Sequence, residues 1–145
     1  MAFRFSLATV LRVKESIAER EERALQKIQH EMARVSQQIS DLNASMKQAQ
    51  LASELALQKS MPGGELQSML WQVQAAGEVK KSLLNALERL EELRVQQMKI
   101  YQAAHRDHET LINLCNEQRE IYDLEQSRAE QKYLDDIFMA RRQRA

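Results

Sequence analysis

The chain has 145 residues, with 21 Lys and Arg against 21 Asp and Glu; 29% of its residues are charged and only 5% aromatic. There is no basic excess to hold a phosphate backbone, so nucleic acid is not an expected partner. The length suits one domain, and the strong helix formers Ala, Leu, Glu, Gln, Lys, Arg and Met dominate, as in long helices or coiled coil.

The start, Phe3-Arg4-Phe5-Ser6-Leu7-Ala8-Thr9-Val10-Leu11, has the apolar character of a signal peptide. Arg12 and Lys14 cut it short, and no small-residue cleavage site follows. It reads as the first turns of a helix in a cytoplasmic protein. Helix 1 is expected over about 4–59. Leu25, Ile28, Met32, Val35, Ile39, Leu42, Met46 and Ala49 recur by threes and fours, the spacing of a coiled-coil seam. Upstream the stripe continues through Leu7, Val10/Leu11 and Ile17. Lys14 and Glu21 stand there where strict register would put apolar groups, so the seam is read as loosened or drifting.

Pro62-Gly63-Gly64 is the one strong break, holding the only proline and two of the three glycines. Pro lacks a backbone donor and Gly is costly in a helix, which places a turn at about 60–65. Helix 2 is expected over about 66–142. Its sevens run through Leu83, Leu90, Gln97, Ala104, Leu111 and Gln118. The alternating layer falls near Leu87, Leu93/Arg94, Ile100/Tyr101, His108, Leu114/Cys115 and Ile121/Tyr122. Gly77 inside this helix marks a close contact or a bend.

The expected fold is therefore all-α: one long antiparallel two-helix coiled-coil hairpin with its turn near Pro62–Gly64. A symmetric fold opposes Leu42 to Leu83, Val35 to Leu90, Met32 to Leu93, Leu25 to Ile100 and Leu11 to Leu114. It predicts a paired rod roughly 80 Å long and leaves the segment after Tyr122 as a single helix of about 30 Å. That overhang carries Tyr133, Leu134, Ile137 and Phe138, an apolar face that calls for a partner; the alternative is equal helices with a frayed tail.

Chemistry is sparse. No Gly-rich loop cradles phosphates, and no nucleophile–base arrangement stands out, so the chain does not read as an enzyme or as a cofactor binder. His105, Asp107, His108 and Glu109 are the one cluster of ligand-type side chains. Zinc wants three or four convergent ligands, and solvated or seam-edge histidines are the simpler reading, so no metal site is expected. The single Cys115 excludes an internal disulfide, suits a reducing compartment and falls in the apolar stripe. Met32, Met46, Met61, Met69 and Met98 suit seam filling or an adaptable surface. No run of about 18 apolar residues spans a membrane. Trp71, the only Trp, sits just after the turn with Met69, Leu70 and Val73; it either anchors a partner or folds back over the loop. Arg141, Arg142 and Arg144 form a basic tail that complements a helix C-terminus.

These residues resemble the flagellar FliJ family. The opening Phe3-Arg4-Phe5-Ser6-Leu7-Ala8-Thr9-Val10-Leu11-Arg12-Val13-Lys14-Glu15 is similar to the family's start, where an aromatic-Leu pair precedes Val-Leu, a basic residue and a Glu. The central break before a heptad helix fits as well. So does the close, Arg128-Ala129-Glu130-Gln131-Lys132-Tyr133-Leu134-Asp135-Asp136-Ile137, ahead of a basic tail.

The resemblance implies a stalk-like coiled coil of the flagellar type III export apparatus, needed for flagellum biogenesis and motility. Its implied partners are a hexameric export ATPase, which it binds and stimulates, the export gate's cytoplasmic domain, and export chaperones. Candidate ring contacts are Phe3, Phe5, Leu7, Tyr133, Leu134, Ile137, Phe138, Arg141 and Arg142; candidate gate contacts are Gln38, Leu42, Met46 and Trp71. Met46 and Ala49 stand where the family can carry aromatics. The implied location is the cytoplasm and, through partners, the cytoplasmic face of the inner membrane. The rival readings are the equivalent stalk of a virulence type III secretion system and a passive coiled-coil tether.

Overall fold

The computed structural model describes residues 2–59 and 62–144. Among them the chain forms two α-helices, α1 (Ala8–Gln58) and α2 (Gly63–Arg144), and no strand. The two pack against each other in the antiparallel hairpin that the double heptad pattern predicts. Ser60 and Met61 of the expected turn lie outside the described residues.

Local signals account for the helix ends. α1 starts at Ala8, later than the periodicity suggests, after a non-helical arm. The Ala8 N–H donates to the Phe5 carbonyl at 3.1 Å, and the Leu11 N–H donates to the Leu7 carbonyl at 2.8 Å. At the other end the Lys59 N–H donates to Ala56 O at 3.1 Å, a tightened last turn. The Pro62 carbonyl accepts from the Glu65 N–H at 3.1 Å and the Leu66 N–H at 3.3 Å, so it caps the first turn of α2. Gly63 and Gly64, read above as part of the break, lie inside that first turn. A helix's first N–H groups have no intrahelical partner in any case, so the start is where a Pro-Gly-Gly run interferes least. Glu65 in the first turn and Arg141, Arg142 and Arg144 in the last complement the helix dipole.

The chain divides into two compact units: Glu22–Ile100, and Met1–Glu21 with Tyr101–Ala145. Each brings a stretch of α1 against a stretch of α2. In the first unit the core is thin. Leu25 and Val35 are 6% and 4% exposed, and Ile28, Met32, Ile39, Leu42, Leu83, Leu87 and Leu90 are half-buried around them. Among the described residues of the second unit Ala18 alone is buried, with Leu11, Ile17, Ala104, Leu111, Leu114, Cys115 and Tyr122 half-buried.

Two expectations about the seam change. On α1 the heptad does not drift. Lys14 and Glu21 stand half-buried at their strict positions, and Ala18, which the apolar pattern passed over, is the buried residue between them. The seam tolerates a half-buried Lys14 because its long flexible stem lets Nζ reach Asp107 Oδ2 on α2 at 3.6 Å.

On α2 the alternating layer runs in strict sevens from Leu87 through Arg94, Tyr101, His108, Cys115 and Tyr122, all half-buried. Leu93 and Ile100, opposed above to Met32 and Leu25, are instead 49% and 50% exposed. Adjacent residues sit about 100° apart on a helix, so choosing the more apolar of two neighbours turns away from the seam. Geometry favours Arg94, whose head folds back to Glu91 with Nε–Oε2 at 2.9 Å and Nη2–Oε1 at 2.6 Å.

Ala49, the last member of the predicted stripe, is exposed. Near the turn the seam opens into a cleft of about 310 Å³ lined by Ser45, Met46, Ala49, Ala52, Met69, Gln72, Val73 and Ala76. Alanines at that height are too short to close the gap. Gly77 marks no close contact: a Cβ there would meet nothing within 4 Å.

Candidate functional site

The functional candidates are surfaces. α2 outruns its partner. From Asp123 to Arg144 every residue but Ile137 is exposed, over a length of about 30 Å. Tyr133 (67% exposed), Leu134 (59%) and Phe138 (68%) recur with Ile137 by threes and fours, so they share one helix face. Met139, which the sequence reading did not single out, is equally bare. Arg141 lies beside Leu134, Ile137 and Phe138, with Asp135 at the edge; Arg142 follows in the exposed last turn.

The seam's sevens, continued past Tyr122, meet Glu125, Ala129, Lys132, Asp136 and Met139, whereas the apolar face of Tyr133, Leu134, Ile137 and Phe138 falls between those positions and is turned away from the seam. It does not prolong the seam toward α1. Equal helices with a frayed tail, the alternative weighed above, is not what forms: the segment is a continuous helix.

Phe3, Phe5 and Leu7, grouped above with this face, lie elsewhere. Phe3 packs on Tyr122 with ring centroids 5.6 Å apart and planes at 52°, and the Arg119 guanidinium lies 5.4 Å from the Phe3 centroid. Phe5 is half-buried and Leu7 36% exposed. Tyr133 begins eleven residues further along α2, about 16 Å away.

The second surface surrounds the cleft near the turn. Met46 lines that cleft across from Met69, Val73 and Ala76. Leu42 is half-buried one turn back in the seam, and Gln38 is exposed one turn further. Trp71 does not fold back over the loop; it is 65% exposed, with Leu70 at 60%. On α1 Leu51, Leu55 and Leu57 are 53–61% exposed, and they lie off the heptad stripe that the sequence pattern picks out. A different signal marks them: only Glu54, Lys59 and Glu65 are charged among the thirty residues Gln48–Gly77, in a chain that is 29% charged. The turn region is therefore apolar without being packed.

Polar groups elsewhere are engaged locally. His105 Nε2 meets Glu109 Oε1 at 3.1 Å, and the His105 ring stacks on Tyr101 with centroids 5.7 Å apart. Among the described residues no three His, Cys, Asp or Glu side chains converge on a point where a metal would sit. Hydrogen bonds from Arg34 hold the Glu31 carboxyl below its ordinary range, and those from Arg94 do the same for Glu91. Both pairs are surface ion pairs three residues apart on one helix. Among the described residues no helix is long and apolar enough to cross a membrane.

No curated protein gave a significant match to the chain. No solved structure matched it either. The family described as Flagellar FliJ protein matches residues 3–145, nearly the whole chain. The chain therefore belongs to the FliJ family, a non-enzymatic component of flagellar protein export.

Proposed function

We propose that this protein is the stalk-like coiled coil of the flagellar export apparatus, and that the free segment of α2 beyond Tyr122 enters the hexameric export ATPase and stimulates it. The family supports the flagellar setting over a virulence secretion system. The observation that carries the ring contact is the unpaired helix Asp123–Arg144 with Tyr133, Leu134, Ile137 and Phe138 on one face and Arg141 and Arg142 following. A lone helix in water is marginal, and a solvent-facing apolar stripe gains free energy when covered. A ring lumen would cover it on all sides.

On the same reading the region around the turn meets the export gate's cytoplasmic domain through Gln38, Leu42, Met46 and Trp71. An exposed Trp beside an apolar cleft has the chemistry of an interface anchor. Export chaperones are the third partner. The protein acts in the cytoplasm and reaches the inner membrane through these partners.

The test is ATP hydrolysis by the cognate export ATPase with and without the protein, alongside particle images of the ring. Faster turnover and density in the ring's centre are expected. The combined change of Leu134, Ile137 and Phe138 to Ser should abolish both while leaving the helical content intact. An empty ring and unchanged turnover with folded wild-type protein would overturn the reading in favour of a passive tether, for which self-association is the property to measure. Trp71→Ala should weaken binding to the gate domain by about tenfold or more, as loss of a hot-spot Trp does.

A further inference from the structure

Residues 2–7 are placed as if to hold α2. They do not continue α1, and from 2 to 6 their exposure alternates: Ala2, Arg4 and Ser6 are exposed, Phe3 and Phe5 half-buried, with Leu7 exposed at the helix start. In a helix Phe3 and Phe5 would point about 200° apart, and only one of them would face α2. A non-helical arm with side chains alternating in direction turns both the same way. Phe3 then sits against the Tyr122 ring with the Arg119 guanidinium over its face, an aromatic pair and a cation–π contact at one point. Tyr122 is also where coverage of α2 stops: of the next twenty-two residues only Ile137 is not exposed.

We infer that the N-terminal arm is an intramolecular clamp, and that Phe3 is a positioning residue that secures the last paired turn of α2 instead of a residue that touches the ATPase. The clamp sets where the free segment begins. Without it the pairing frays back from Tyr122 toward Leu111, and the unpaired helix lengthens at its base. The clamp stands on the contacts within this chain; its consequence for the ATPase rests on the reading above that the free segment is what enters the ring.

Hydrogen exchange on the full chain tests it, with wild type compared with Phe3→Ala, Phe3→Trp and Arg119→Met. In Phe3→Ala the amides of residues 8–14 and 115–125 should exchange about 2- to 12-fold faster, the factor corresponding to loss of an aromatic pair. Arg119→Met should give a smaller increase in the same peptides, and Phe3→Trp should restore wild-type rates. Amides of 25–46 should not change, which controls for folding. Phe3→Ala should still occupy the ring.

Wild-type exchange at 115–125 in Phe3→Ala would overturn the clamp. So would wild-type exchange combined with loss of ring binding, which would make Phe3 a direct contact. If the Leu134, Ile137 and Phe138 variant binds the ring normally, the ring reading fails while the exchange result still decides the clamp.

Discussion

Leu25–Leu42 of α1 and Asp123–Arg144 of α2 are both helical and both carry apolar residues at three- and four-residue spacing, yet one holds the core and the other lies in water. Leu25 and Val35 are below a tenth exposed; Leu134 and Phe138 are well above half. The difference is the partner. In a chain this thin, burial comes from a facing helix, and a helix with no facing helix keeps its apolar stripe for something else.

The largest test of that contrast is a matched deletion. Leu25→Ala should cost about 2–3 kcal/mol in chemical denaturation, the low end for a buried Leu because a two-helix seam collapses easily into the gap. Leu134→Ala should cost less than about 0.5 kcal/mol, as surface changes do. Equal losses would mean the free segment is covered within the chain itself.

Next comes Gly77. Its Cβ position is open, so Gly77→Ala should gain about 1 kcal/mol from helix propensity alone. A loss would place a close neighbour there. Asp107→Asn removes the partner of Lys14 across the seam and should cost about 0.5 kcal/mol, fading at high salt. No effect at low salt would mean that the Lys14 stem, and not its charge, is what the seam holds.

The smallest effect is the pH dependence from the Glu31–Arg34 and Glu91–Arg94 pairs. Both carboxyls titrate lower in the folded chain than in the unfolded one. Their contribution is therefore fully present above the ordinary carboxylate pKa, near 4.3, and is lost as pH falls through the lowered folded values. Glu31→Gln with Glu91→Gln should flatten the acid limb of a stability–pH curve slightly and leave neutral pH almost unchanged. An unaltered acid limb would show that these exposed pairs contribute nothing to it.

Much of the fold was legible because long helices follow local rules. The 3- and 4-residue spacing of Leu25 through Met46 and the lone Pro62 announce two helices and a reversal. The terminal face of Tyr133, Leu134, Ile137 and Phe138 was legible for the same reason, since a helical stripe past the end of its partner is a matter of counting. The choice between Leu93 and Arg94, or Ile100 and Tyr101, was not. Apolarity favours one neighbour and the seam's geometry the other, and the long stem of Arg94 lets a charged residue occupy a half-buried seam position while its head finds Glu91. Ala18 was passed over because a small side chain carries little weight in a hydrophobic pattern, although smallness suits a close approach of two backbones. Leu51, Leu55 and Leu57 went unnoticed because they belong to no stripe, and only the low charge density around the turn marks them.

The sequence by itself determined that this chain is helical, that it reverses once, and that it belongs with flagellar export proteins. Each of these depends on residue type and spacing along the chain. Tertiary structure alone decided which residue of each adjacent pair enters the seam, that the seam opens into a cleft where Ala49, Ala52 and Ala76 fall short, and that Phe3 turns back onto Tyr122. Those outcomes depend on the distance between two helices and on what stands opposite, which no pattern within one helix contains.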